Sequence, residues 1–289
     1  MLYLIVCILA SAGMTLLFKV FELKKINNLQ AILANYLTAS FCCNMACKEG
    51  PVILTNFWQN DWFVFSVFLG VFFIVVFYAM AMTAQKVAVS VSIVASKMSL
   101  VITLFFLYIY YQEAMNIYKW LSIGGALFAV YLTTKREEKT KLSGHWAYIY
   151  PLMVFIGSGI VDSSLKYLEI TFFKTADVNA PLGMIFFFAG ISGLVVYLLN
   201  QTKERNPIQL KSIIGGICLG LLNYISTYTL LKTLSDKILT DSVIFPIINI
   251  GVVIVASVVA MVFFKEHLSK KNFVGIALAV LSIFILAIS

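Results

Sequence analysis

Ten apolar runs divide this chain, each close to the roughly 20 residues that an α-helix needs to cross a bilayer. They cover residues 2–21, 29–47, 61–82, 87–111, 117–134, 146–170, 179–200, 211–232, 239–264 and 271–288. The connections between them are short, so no soluble domain fits anywhere. Only helices and closed barrels satisfy the backbone inside lipid, and the alternating pattern of a membrane barrel is absent. The composition agrees: 61% of the residues are hydrophobic and 12% charged, where a soluble domain has about half and a quarter. The first run starts at Leu2 with no charged segment before it and reads as a retained span rather than a signal peptide. The expected class is an all-α membrane protein with ten transmembrane helices.

The ten runs read as two copies of five. Ser11–Glu22 (SAGMTLLFKVFE) aligns with Ser158–Glu169 (SGIVDSSLKYLE), which places Lys19 over Lys166 at an offset of 147 (166 − 19). In the third run of each copy, Gly70 lies over Gly220 and Tyr78 over Tyr228, at an offset of 150. At the same offset Ser92, Ser96 and Ser99 lie over Ser242, Pro246 and Asn249, and further on Glu113 lies over Glu266. An odd number of spans per copy makes the copies enter the membrane from opposite faces. The halves, 1–140 and 141–289, are therefore expected to be inverted repeats, with any site near the midplane around a central cavity.

Basic residues favour cytoplasmic loops. The odd-numbered connections carry Lys24, Lys25, Lys86, Lys135, Arg136, Lys139, Lys141, Lys203, Arg205, Lys211, Lys265, Lys270 and Lys271; the even-numbered ones carry Lys48, Lys119, Lys174, Lys232 and Lys237. Thirteen against five puts both termini outside and the protein in the plasma or inner membrane of the cell.

The net charge of +8 resides in these loops, and no basic stripe with interleaved aromatics marks a nucleic-acid surface. Cys7, Cys42, Cys43, Cys47 and Cys218 lie in apolar segments without metal-site spacing and read as small buried hydrophobes. His145 and His267 fall at run ends. No Walker loop, HExxH, GxSxG or catalytic acid pair occurs. An enzyme is not expected, no cofactor or metal is implied, and any transport must be secondary.

The segment FYAMAMTAQKVAVSVSI that closes run three, with Pro246, Glu266 and Gly275 in and after run nine, resembles the drug/metabolite transporter superfamily, in particular its EamA-type ten-helix exporters. The resemblance covers essentially the whole chain. It implies an inverted five-plus-five basket, a cavity lined by helices one, three, four, six, eight and nine, and outward movement of a small solute. Glu113 and Glu266 take the family's loop glutamate positions, which look structural. Ser96 stands in the first half where the second has Pro246, and no acid precedes Glu22. The family usually keeps both termini in the cytoplasm, opposite to the charge count.

Run four carries Ser92, Ser96, Ser99 and Thr103 within about 60° of one another, with Lys97 near the middle of the span. A charge at that depth is costly and should face the interior or water. Lys97 serves either as an anchor for a carboxylate or phosphate on a solute, or as the partner of an acid on another helix. Proton release from it on arrival of a cation is a third use. Run six holds Asp162 and Lys166 four residues apart, the better order for an ion pair. Asp162 is short and deep, suited to a salt bridge with Lys166 or Lys97 or to a proton or cation. Lys19 and Lys166 lie near helix ends, where long side chains snorkel. Run eight offers Asn223, Ser226 and Thr227 with Tyr224 and Tyr228 nearby, over Phe73, Val76 and Phe77 in run three, so one wall is polar and one aromatic. Ser242, Pro246 and Asn249 share a face of run nine, where Pro246 either breaks the helix and frees carbonyls or simply kinks it. Tyr78 completes the set. Gly124–Gly125 and Gly215–Gly216 fit close helix contact.

The function expected is a secondary transporter, an exporter of a small polar or amphipathic metabolite of amino-acid or organic-anion type, working by alternating access. Two other readings stand beside it: a non-transporting multi-pass subunit or sensor, and a carrier of nucleotide sugars or lipid-linked sugars. Expected partners are a small-molecule substrate, the lipid bilayer, a coupling H+ or other ion and a second copy in a homodimer, with no nucleic acid. A reporter that is active only in the cytoplasm should be silent at the C-terminus and active when inserted in the 135–141 connection; activity at the C-terminus would contradict the orientation.

Overall fold

The computed structural model describes residues 1–48, 50–51, 57–83, 89–112, 115–134, 146–172, 177–201, 207–264 and part of 274–285. Glu113, Glu266, His145 and His267 lie outside the described residues, as do the side chains of Lys19 and Glu22. Among the described residues all regular structure is helical. Ten helices follow in order: α1 Leu2–Leu23, α2 Asn28–Ala46, α3 Phe63–Met82, α4 Val89–Met98, α5 Leu100–Tyr110, α6 Ile117–Thr134, α7 Trp146–Phe172, α8 Asn179–Gln201, α9 Leu210–Ser235 and α10 Asp241–Phe264. Helical residues recur between 274 and 285 in the last apolar run.

Three of these helices, over Phe63–Met82, Asn179–Leu199 and Leu210–Ser235, are long and apolar enough to cross a membrane. On α3 the residues Val64, Phe68, Val71, Val75 and Tyr78 form an exposed stripe at helical spacing. Such a stripe is unfavourable in water and suits lipid. Tyr78 therefore sits on an outward face.

Local chemistry sets the helix ends. Asn27 caps α2: its Oδ1 accepts from the backbone N–H of Leu29 at 3.1 Å and of Gln30 at 3.3 Å, satisfying two donors the helix leaves open. Run four was expected as one helix but is two, divided at Ser99. The Ser99 hydroxyl donates to the Ser96 carbonyl at 2.6 Å, and such local side-chain bonds compete with the helical ladder. In the second half, of the two uses expected for Pro246, the helix break does not occur. Pro246 lies inside α10, which continues unbroken from Asp241 to Phe264.

The helices pack as a small set of pairs. α2 runs along α8 and α9; α1 along α9 and α10; α3 along α7 and α8; α4 and α5 against α7; α10 against α5 and α6. Two main apolar bodies result. One joins α2, α3, α7, α8 and α9 around Tyr36, Phe73, Leu182 and Phe186. The other joins α1, α5, α6 and α10 around Leu104, Leu107, Ile244 and Val252.

The close approach of α2 and α9 requires glycine. A Cβ on Gly216 would stand 2.4 Å from the Ala31 carbonyl oxygen, and one on Gly220 2.5 Å from that of Asn35. Without a hydrophobic drive between helices in lipid, this close contact is what holds them. Gly215 is tight as well, against Phe21. Gly124 is not a contact glycine, since a Cβ there meets nothing within 4 Å. The substitutions Gly216→Ala and Gly124→Ala should accordingly differ in sign. Gly216→Ala must push two backbones apart and should cost about 1–3 kcal/mol; Gly124→Ala should gain up to about 1 kcal/mol from helix propensity. Thermal unfolding in detergent reads both, and equal shifts would contradict the α2–α9 geometry.

Candidate functional site

Between the two apolar bodies lies a cavity of about 490 Å³, lined by α1, α3, α4, α7, α9 and α10. Phe73 and Leu165 bring the first body to its wall, Cys7, Phe245 and Ile248 the second. At one end the lining includes Phe21, Lys25, Ile26 and Asn28, the end of α1 and its turn into α2. Here alone the lining reaches a connection between helices, and this end is assigned as the mouth.

The polar lining is specific. Lys97, at the end of α4, donates from Nζ to Asn249 Oδ1 on α10 at 3.2 Å. Asp162 faces the same cavity from the middle of α7. Among the described residues no ion pair joins Lys97 and Asp162, and Asp162 makes no hydrogen bond. Deep in the cavity Lys97 and Asp162 thus stand unpaired with each other, while Lys25 lies at the mouth end of the lining. On α9, Asn223 donates to Asn35 Oδ1 at 3.1 Å, and Thr227 donates to Asn223 Oδ1 at 3.4 Å. The hydroxyls of Ser11 and Ser226 meet at 2.5 Å across α1 and α9, and Ser92 bonds the Met80 carbonyl at 3.1 Å. Phe18, Phe73, Phe77 and Phe245 supply aromatic wall.

Of the residues singled out in the sequence, Ser92, Ser96, Lys97, Asp162, Asn223, Thr227 and Asn249 line this cavity together. Ser99, Lys166, Tyr78, Tyr228, Ser242 and Pro246 are not in its lining. Ser99 is committed to the α4–α5 break. Tyr228 stacks beside Tyr224 at 5.7 Å, with Lys232 Nζ 5.8 Å from its ring centre. Ser242 meets Thr240 at 3.2 Å and Lys119 Nζ at 3.5 Å. Lys166 does not snorkel and does not pair with Asp162; it is 2% exposed and binds Glu169 and Asp241.

The resemblance placed the first helix on the cavity, but none of its side chains was named for the site: Cys7, Ser11, Met14, Thr15 and Phe18 all contribute. Ser11 and Thr15 are four residues apart in an otherwise apolar run, which was the available signal. Ser11 also aligns with Ser158, and both line the cavity.

Residues 1–135 match the model of the EamA-like transporter family. The match ends one residue beyond α6, and the family is one of multi-pass membrane transporters in the drug/metabolite superfamily. An uncharacterized protein of Haemophilus influenzae is 25% identical over 287 residues, 98% of this chain and 96% of its own length. A crystal structure of a protein 13% identical to this one matches 98% of the chain and 94% of that chain with a TM-score of 0.73, which shows a shared fold. The cavity's six helices include α1, α3 and α4 from the EamA-like segment, so Lys97 lies within it and Asp162 outside it.

Proposed function

We propose that the protein is a secondary carrier of a small amphipathic solute of amino-acid type, moved outward by alternating access of two inverted halves, 1–140 and 141–289. The observation that carries this reading is that Lys97 and Asp162 face one cavity without pairing. Two buried charges that served only structure would close on each other, because an unpaired charge in low dielectric is expensive. Held apart, they offer a cation for a carboxylate and an anion for an ammonium group. An organic anion would satisfy Lys97 and be repelled by Asp162; a zwitterion satisfies both. The aromatic wall suits an apolar side chain, and about 490 Å³ lies within the usual range for small-ligand sites.

The helix pairs support the repeat. Exchanging each apolar run with its counterpart five places on turns the α1–α9 pair into α7–α3, α2–α9 into α8–α3, and α1–α10 into α7–α4; all six are packed pairs. The six runs that the family resemblance assigns to a central cavity are those that line this one. The mouth lies at the basic, odd-numbered connections, so the cavity is open to the cytoplasm if the charge count holds. That is the loading side for an exporter.

A nucleotide-sugar carrier needs several clustered cations. A silent subunit needs the Lys97–Asp162 pair closed. Neither arrangement is found among the described residues.

Thermal stabilisation by a panel of amino acids, organic acids and amines tests the site. Amino acids should stabilise the wild type, while Lys97→Met and Asp162→Asn should each weaken binding at least about 10-fold, or about 1.4 kcal/mol. Stabilisation by organic acids that survives Asp162→Asn unchanged would replace the zwitterion with an anion. An unchanged response in Lys97→Met would remove the anchor.

A further inference from the structure

Next to the end of the cavity opposite its mouth lies a cluster of paired charges. Lys166 on α7 follows Leu165, which lines the cavity, and Asp241 stands one turn before the lining residue Phe245 on α10. Lys166 Nζ lies 2.8 Å from Asp241 Oδ2 and 2.5 Å from Glu169 Oε2. Lys166 and Glu169 are almost wholly buried, while Asp241 is 21% exposed toward the end of the bundle. α7 and α10 are two walls of the cavity but do not form a packed helix pair. Lys166 nevertheless spans them directly beneath the cavity.

We propose that Lys166, Glu169 and Asp241 form the gate of the carrier on the side away from the mouth. The inference rests on the carrier reading above. A layer of packed side chains would have to be torn apart for solute to leave. An ion pair between two helices with little other contact among the described residues needs only a small separation to let water reach its charges. Once wet, each charge recovers the hydration it lost on burial. The pair is therefore strong when dry and cheap to part when water enters, the two properties a gate requires.

The repeat makes the gate one-sided. Lys19 and Glu22 align with Lys166 and Glu169, but the position that aligns with Asp241 at the offset of 150 is Val91. The second half has the acid that ties its helices, and the first half has valine. The mirror-image gate at the mouth thus lacks its anchor in the sequence. The protein rests with its mouth open and its far side latched, and loading the cavity works against the latch.

The test uses the full chain with its native cysteines replaced and a single reporter, Ser96→Cys, in the cavity wall. A membrane-impermeant maleimide is applied to sealed vesicles of each orientation, with no solute present. The reporter should label from the mouth side only, and Asp241→Asn should raise its rate from the opposite side at least about 10-fold. Asp241→Asn removes one of the two acids on Lys166, which keeps Glu169, and can still impair folding. The uncharged set Lys166→Met, Glu169→Gln, Asp241→Asn strands nothing and should open the far side equally. A far-side rate unchanged in a folded variant would overturn the gate. Equal labelling from both sides in the parent would overturn it too, leaving the cavity intact. A reporter reached from neither side would overturn the carrier reading and the gate with it.

Discussion

Lipid offers no hydrogen-bond partner to a backbone amide or to a buried side chain, and every feature of this chain follows from that absence. Backbone groups close on themselves as helices. Polar side chains turn from the lipid toward one another or toward a cavity. Ser163, Thr229, Thr233 and Ser282 each return a hydroxyl to the carbonyl four residues earlier, which settles their hydrogen bonds within their own helix. Ser40 reaches the Gly183 carbonyl on α8 at 3.0 Å instead, tying two helices. The side chains left over, Lys97 and Asp162, have no such local solution. Lys97 reaches only the neutral amide of Asn249, and Asp162 is left facing the cavity.

Most of the architecture was legible in the sequence because the constraint is one-dimensional. A span must be apolar for a fixed length, so the ends of nine runs fall within a few residues of helix ends. The α4–α5 break was not legible. A serine that bonds its own helix and a serine at a lapse in helical bonding look alike in a sequence. Glycines divide similarly. Gly216 and Gly124 both sit in Gly–Gly pairs, yet only Gly216 meets a neighbouring backbone, since which face a glycine presents depends on helix rotation.

The candidate site was half legible. Lys97 and Asp162 were visible as charges where charge is costly, and cost is a property of composition and depth alone. Partner choice was not visible. The i,i+4 spacing of Asp162 and Lys166 suggested a pair, but Lys166 turns to Glu169 three residues on and to Asp241 on another helix. That rearrangement leaves Asp162 to the cavity. Had the local pair formed, Lys97 would face the cavity without an anionic counterpart, and the case for a two-pole solute would vanish.

The proposed cycle joins these features. Lys97 and Asp162 stand apart deep in the cavity, with an ion-paired floor beneath them and glycine-tight helix pairs around them. Its central claim is that the cavity carries solute from one side of the membrane to the other. Counterflow in proteoliposomes tests this most directly: vesicles loaded with unlabelled amino acid are diluted into a trace of the same labelled compound without an ion gradient. Transient accumulation of label above equilibrium, lost in Lys97→Met, is the predicted result. Label that never exceeds equilibrium, with a protein shown to be folded and to bind the amino acid, would contradict the account.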